Sequence, residues 1–211
     1  MHSPRPTPSL LDNLSIALAA AVLGLMAGFF WTYGFNVNRA MLQVDGATYA
    51  TVQSLFNRHV RHAAFFTLFF GGAAFPLLAL AVNRAHWRTP AFWMLVCATV
   101  VYALGVIVFT RQVNLPLNAY TESWSAVQPP ADWAATRDQW NAANMVRVWF
   151  AGLAFALALA ALVLRASPHG AISATSRPAP PAHLDRSHAP PRAGPAGAWC
   201  RAPAGPHWRS R

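Results

Sequence analysis

Four long stretches of this chain carry no charged side chain: Leu14–Phe35, Ala63–Val82, Ala91–Phe109 and Val148–Leu164, of 22, 20, 19 and 17 residues. At a helical rise of roughly 1.5 Å per residue they reach about 26–33 Å, close to the ~30 Å hydrocarbon core of a bilayer. A buried helix of a soluble protein would carry polar residues along its outward face, and these runs have almost none. The pattern predicts four transmembrane helices, each complete in its own hydrogen bonds because lipid offers the backbone no partner. The apolar core of the first run is too long for a cleaved signal peptide, and no small-x-small site leads out of it, so it is expected to stay as an anchor.

The expected fold class is all-α: a four-helix transmembrane bundle over residues 14–165, after a short segment 1–13. Gly24, Gly28, Gly71, Gly72, Gly105 and Gly152 fall within the spans and are expected to be close-approach points between helices. Trp31, Tyr33, Trp87, Trp93 and Trp149 lie near span ends, where aromatic belts form.

Four spans put both long connections, 36–62 and 110–147, on one side, and both are expected to be helical. In the first, Val52, Leu55, Phe56 and Val60 recur at helical spacing after Asp45 as a cap, predicting an amphipathic helix running into the second span. In the second, Pro129–Pro130 breaks the chain. Trp133, Arg137, Trp140, Asn144 and Arg147 then follow at steps of 4, 3, 4 and 3, one helical face continuing into the fourth span.

Composition agrees with a membrane protein, at 55% hydrophobic and 10% charged residues. The net charge of +10 changes the picture little, because much of it sits after the last span. Residues 166–211 are just over half Ala, Pro and Gly, a composition that cannot bury enough apolar surface to order itself. A disordered basic tail is expected there, and no nucleic-acid partner. All sixteen basic residues are arginine, which suggests a GC-rich, bacterial coding sequence and so the plasma membrane. Arginines near the spans divide almost evenly between the two sides, and only the tail tips the termini toward the cytoplasm. Cys97 lies in the third span and Cys200 in the tail, so no disulfide and no zinc-type spacing is expected.

Candidate chemistry gathers on the long-loop side. Arg111, Asn114 and Asn118 stand at steps of 3 and 4 around Pro116, so they share a face if the third helix continues beyond the lipid. Pro116 would kink that extension and free a carbonyl for nearby amides. With Trp140, Asn144 and Arg147 these residues suit a flat lipophilic aromatic or quinone-like ligand, amides on its carbonyls and indoles on its face. Asn and Arg at helix ends also cap backbones and reach lipid phosphates, so a purely structural role stays open. His59 and His62 are one turn apart beside Arg58 and Arg61, a setting that disfavours a metal or haem but leaves a general base. No metal and no cofactor is expected.

At these residues the chain resembles a known family. "VNLPLN" (Val113–Asn118), followed by "NMVR" (Asn144–Arg147) at the head of the last span, is similar to the anthrone-oxygenase-like family of small four-span membrane proteins. The resemblance extends through "FNVNRAML" and "LFNRHVRHAAFFTLFFG", about Leu14 to Leu164, and maps the family's pattern onto Asn114, Pro116, Asn118, Asn144 and Arg147. Where the pattern often has an aromatic, this chain has Ala143, with Trp140 one turn earlier. The resemblance implies oxygenation of an anthrone to an anthraquinone without metal or flavin. His59 or His62 would then be the base, and Arg147, Asn114 and Asn118 the oxyanion donors. The alternatives are a non-catalytic membrane protein binding a lipid, quinone or protein partner, and a structural subunit with capped helix ends. The sequence does not set the oligomeric state.

Overall fold

Ser9 and Asp12 start the first helix with a reciprocal cap. The Ser9 hydroxyl accepts from the Asp12 N–H at 3.1 Å, and the Asp12 carboxylate accepts from the Ser9 N–H at 2.8 Å. From there the computed structural model, which describes residues 9–166, is helical nearly throughout, with no strand among the described residues. The helices are α1 (Leu10–Met41), α2 (Gly46–His59), α3 (Ala63–Val82), α4 (Pro90–Glu122) and α5 (Trp133–Ala166). All but α2 are long and apolar enough to cross a membrane, α3 being extended by a 3₁₀ turn at Asn83–His86. The protein is therefore an integral membrane four-helix bundle. The expected basic tail, with Cys200, lies outside the described residues.

Helix α5 packs on both α1 and α4, and α3 closes the bundle against the same two helices. The seam of α5 is Ala151, Ala154, Ala158 and Ala161, all fully buried at steps of three and four. Small side chains let backbones approach where no hydrophobic effect draws helices together. Leu23, Met26 and Phe30 of α1 and Tyr102 and Val106 of α4 fill the space around that seam. The Tyr102 hydroxyl donates to the Phe69 carbonyl at 3.0 Å, so its one polar atom is satisfied. A Cβ at Gly72 would collide with the Tyr102 ring, and one at Gly105 with Phe150. Gly28 and Gly152 differ from expectation: a Cβ at either meets nothing within 4 Å. Outward positions such as Leu18, Leu77, Leu78, Leu104 and Trp149 are exposed, a surface made for lipid.

The short-loop end is tied shut by long-range polar contacts. Asn83 donates to the carbonyls of Asp12 (3.3 Å) and Ala79 (2.8 Å) and to the Ser15 hydroxyl (3.0 Å). Arg165 donates to the Asn83 carboxamide oxygen at 2.7 Å and lies 3.4 Å from the Asp12 carboxylate, which also meets His86 Nε2 at 3.3 Å. One cluster thus joins the start of α1, the end of α3 and the end of α5.

Helix α2 departs from expectation in where it stops. Asp45 does cap it, accepting from the Thr48 N–H at 2.7 Å. The helix ends at His59, however, and does not run into α3. His62 is extended (φ −119°, ψ 162°) and becomes the N-cap of α3, its Nδ1 accepting from the Phe65 N–H at 3.3 Å. A histidine whose ring nitrogen reaches the first free N–H groups of a helix can end one helix and start the next. Tyr49, Gln53 and Asn57 form the buried face of α2, while Leu55 and Phe56 are exposed. At a membrane surface that arrangement lets apolar groups meet lipid and amides meet the polar end of the bundle.

Candidate ligand site at the long-loop end

The helices that form this end are not regular. π-Helical turns occupy Tyr33–Val37 in α1 and Ala103–Val108 and Thr110–Asn114 in α4. Each such turn shifts the residues that follow it around the helix. Arg111 is consequently exposed while Asn114, three positions on, is fully buried, so the two do not share a face as regular helical steps would have it. Pro116 falls in the first turn of the α-helical stretch after the π turn, where a missing N–H costs least.

Where the five helices meet at this end lies a niche of about 60 Å³. Its aromatic walls are Phe29, Phe30 and Tyr33 of α1, Phe56 of α2, Phe65 of α3 and Trp140 of α5, and its polar groups are Asn57, Asn118, Asn144 and Arg147. Trp140 Nε1 donates to the Asn118 carboxamide oxygen at 2.7 Å, and Arg147 Nη2 donates to that of Asn144 at 2.9 Å. Gln53 donates to Asn57 at 3.1 Å, and Asn57 to the Thr121 hydroxyl at 3.2 Å, docking α2 onto the last turn of α4. Arg61 and Glu122 pair across the same junction. Tyr49 packs beside Trp124 and Trp133, and burial raises its phenol above the usual range, so it stays neutral.

The electrostatics are one-sided. Arg147 is 8% exposed, with its guanidinium 4.9 Å from the Phe30 ring centre and 5.5 Å from that of Trp140. Among the described residues no carboxylate lies within ion-pair reach of it. Its Nε, the Nδ2 of Asn144 and of Asn38, and both amide atoms of Asn114 are buried without a hydrogen-bond partner in the protein. Each unmade bond of this kind costs about 1–3 kcal/mol. A buried cation with donors to spare is a ready receptor for an oxygen that carries negative charge.

A wider groove of about 540 Å³ adjoins the niche and shares Phe29, Tyr33, Phe56 and Val60 with it. Leu25, Gly28, Thr32 and Val37 of α1 line it on one side, His59 and His62 on the other. The niche alone is far below the ~300–1,000 Å³ usual for small-molecule sites, and the groove falls inside that range.

The expected site residues therefore divide. Asn118, Trp140, Asn144 and Arg147 meet in the niche; His59 and His62 face the groove; Asn114 is buried without lining either; Arg111 stands apart. On α5, Trp140, Asn144 and Arg147 turn inward, while Trp133 and Arg137 on the same face are half-buried. Helix α1 contributes more than the sequence suggests: Tyr33, expected in an aromatic belt, lines the niche with Phe29 and Phe30. Its signal is the stripe Leu25, Gly28, Phe29, Thr32 and Tyr33, whose steps of 3 and 1 trace one helical face. Among the described residues no three His, Cys, Asp or Glu side chains come together as metal ligands.

Residues 58–157 match the family model described as anthrone oxygenase. The matched stretch holds His59, His62, the Asn114–Asn118 element and Arg147, but none of α1. No curated protein and no solved structure matches the chain.

Proposed function

Taking the match of residues 58–157 to anthrone oxygenase as the premise, we propose that this membrane protein oxygenates a lipophilic, anthrone-like aromatic without a cofactor. The observation that carries the reading is Arg147, a buried guanidinium with no carboxylate partner among the described residues, facing an aromatic-walled niche. Loss of a proton from the ring carbon opposite the anthrone carbonyl places negative charge on that carbonyl oxygen. Arg147 and the Asn118 and Asn144 amides are the donors for it, and such preorganised donors lower the barrier to forming the anion. The electron-rich anion reduces dioxygen and forms a C–O bond at the deprotonated carbon. The peroxide then loses water to leave the second carbonyl, so anthrone plus O₂ gives anthraquinone plus H₂O.

With the carbonyl in the niche, the opposite carbon falls toward the groove, the side on which His59 and His62 lie. His62 Nδ1 is engaged with the Phe65 N–H, so we assign the base to His59 and capping to His62. Asn114, buried with both amide atoms unpartnered four residues before Asn118, is assigned a supporting role and not contact with the substrate. The protein acts in this reading in a bacterial plasma membrane with cytoplasmic termini, which a topology reporter fused after Arg211 checks.

The test compares membranes carrying wild type or Arg147→Ala at matched abundance, following anthrone conversion in air and under nitrogen with spontaneous oxidation subtracted. Conversion that needs air and is lost in the variant is the expected result. Equal rates in wild type, variant and empty membranes would remove the assignment. Anaerobic ligand binding with no turnover in air would favour the non-catalytic reading of the same site.

A further inference from the structure

Resting on that reading, we infer that the substrate reaches the site sideways from the bilayer, its ring system lying in the groove along α1, with Gly28 setting the room available. The niche of about 60 Å³ has the polar groups but not the space for fused rings; the groove of about 540 Å³ has the space and little polarity. The two adjoin, with Phe29, Tyr33, Phe56 and Val60 as common lining. The groove extends from Leu25 and Gly28, within the apolar run of α1, up to His59 and His62 at the span end. A lipophilic molecule dissolved in the bilayer therefore finds an apolar trough at its own depth and meets the cation only at the inner end. Gly28 lines the trough, and a Cβ there meets nothing within 4 Å. Glycine at this position has no packing reason of the kind seen at Gly72 or Gly105, where a side chain would strike a neighbouring ring. Its effect is to keep the floor of the groove open.

Gly28→Leu tests this without threatening the fold, since leucine is the better helix former and the added side chain occupies open space. Gly152→Leu is the matched control, a second glycine with open surroundings that lies outside the groove. Binding of anthrone under nitrogen, and of anthraquinone, would be followed by tryptophan quenching with each protein in phosphatidylcholine nanodiscs. The expected result is roughly tenfold or greater weakening for Gly28→Leu and wild-type binding for Gly152→Leu. Wild-type binding by Gly28→Leu would overturn the groove assignment and leave the oxygenase reading standing. A lipid acyl chain that copurifies with wild type, is lost in Gly28→Leu and does not compete with anthraquinone would likewise overturn it. Binding that depends on Gly28 without turnover in air would keep the groove and sink the oxygenase. No binding of either tricycle by wild type would end both.

Discussion

Both ends of this bundle bury an arginine beside asparagines, and the two are treated differently. At the short-loop end Arg165 meets the Asp12 carboxylate and the Asn83 amide, and Asn83 in turn reaches three further acceptors. At the long-loop end Arg147 has one amide partner and two ring faces, with unpartnered amide atoms on Asn114 and Asn144. Nε of Arg165 and Oδ1 of Asn13 are unpartnered as well, so what sets the ends apart is the carboxylate. The same residue types make a clasp where one joins the arginine and a receptor where none does. Composition alone does not separate these cases; the location of the acidic residues does, Asp12 being at the short-loop end and, among the described residues, none pairing with Arg147.

The largest expected contrast comes from replacing each arginine by methionine. Arg147→Met should lower turnover by ~10²–10³-fold, as loss of an oxyanion donor does, with the melting temperature in bilayers unchanged or raised. A loss of folded protein equal to the loss of turnover would reduce Arg147 to a structural role. Arg165→Met should do the reverse, costing about 1–3 kcal/mol of stability with kcat per folded molecule retained, read by thermal unfolding beside activity. Asn114→Leu sharpens the comparison at one residue. Removing an amide with two unmade hydrogen bonds should raise stability by about 1 kcal/mol while lowering activity; a fall in both would mean that Asn114 is already satisfied in the folded protein. The smallest effect is at Asp45, whose carboxyl is held below its usual range by the Thr48 backbone N–H. That capping contribution is present above the unfolded carboxylate value of about 3.9 and fades as pH falls through the lower folded value. Asp45→Asn should flatten the acid dependence of α2 helicity, measured by circular dichroism between neutral and acid pH.

Much of the architecture is written locally. An uncharged run as long as the bilayer is thick admits no other regular structure, and the Trp133–Arg147 face follows from regular helical steps because α5 is unbroken. The site is less legible for two physical reasons. Regular spacing put Arg111 with Asn114, and the π turn at Thr110–Asn114 undoes that pairing, a deviation with no residue signature of its own. Contacts that close the ends join positions far apart, such as Asn83 to Asp12 or Asn57 to Thr121, and depend on which helices become neighbours. His62 shows a third difficulty. Next to His59 it reads as chemistry, while its ring is in use as a helix cap.

Helix α2 is held by two different media. Its amides bond to the protein through Asn57 and Thr121, while Leu55 and Phe56 face outward, and Phe56 also forms a wall of the niche. The surrounding amphiphile is therefore part of what sets that wall in place. A short-chain detergent that packs loosely around Leu55 and Phe56 gives α2 less to rest on than a bilayer does. Turnover and ligand affinity measured after solubilisation should fall below their bilayer values and recover on reconstitution, so the preparation chosen for an assay becomes an experimental variable of the site itself.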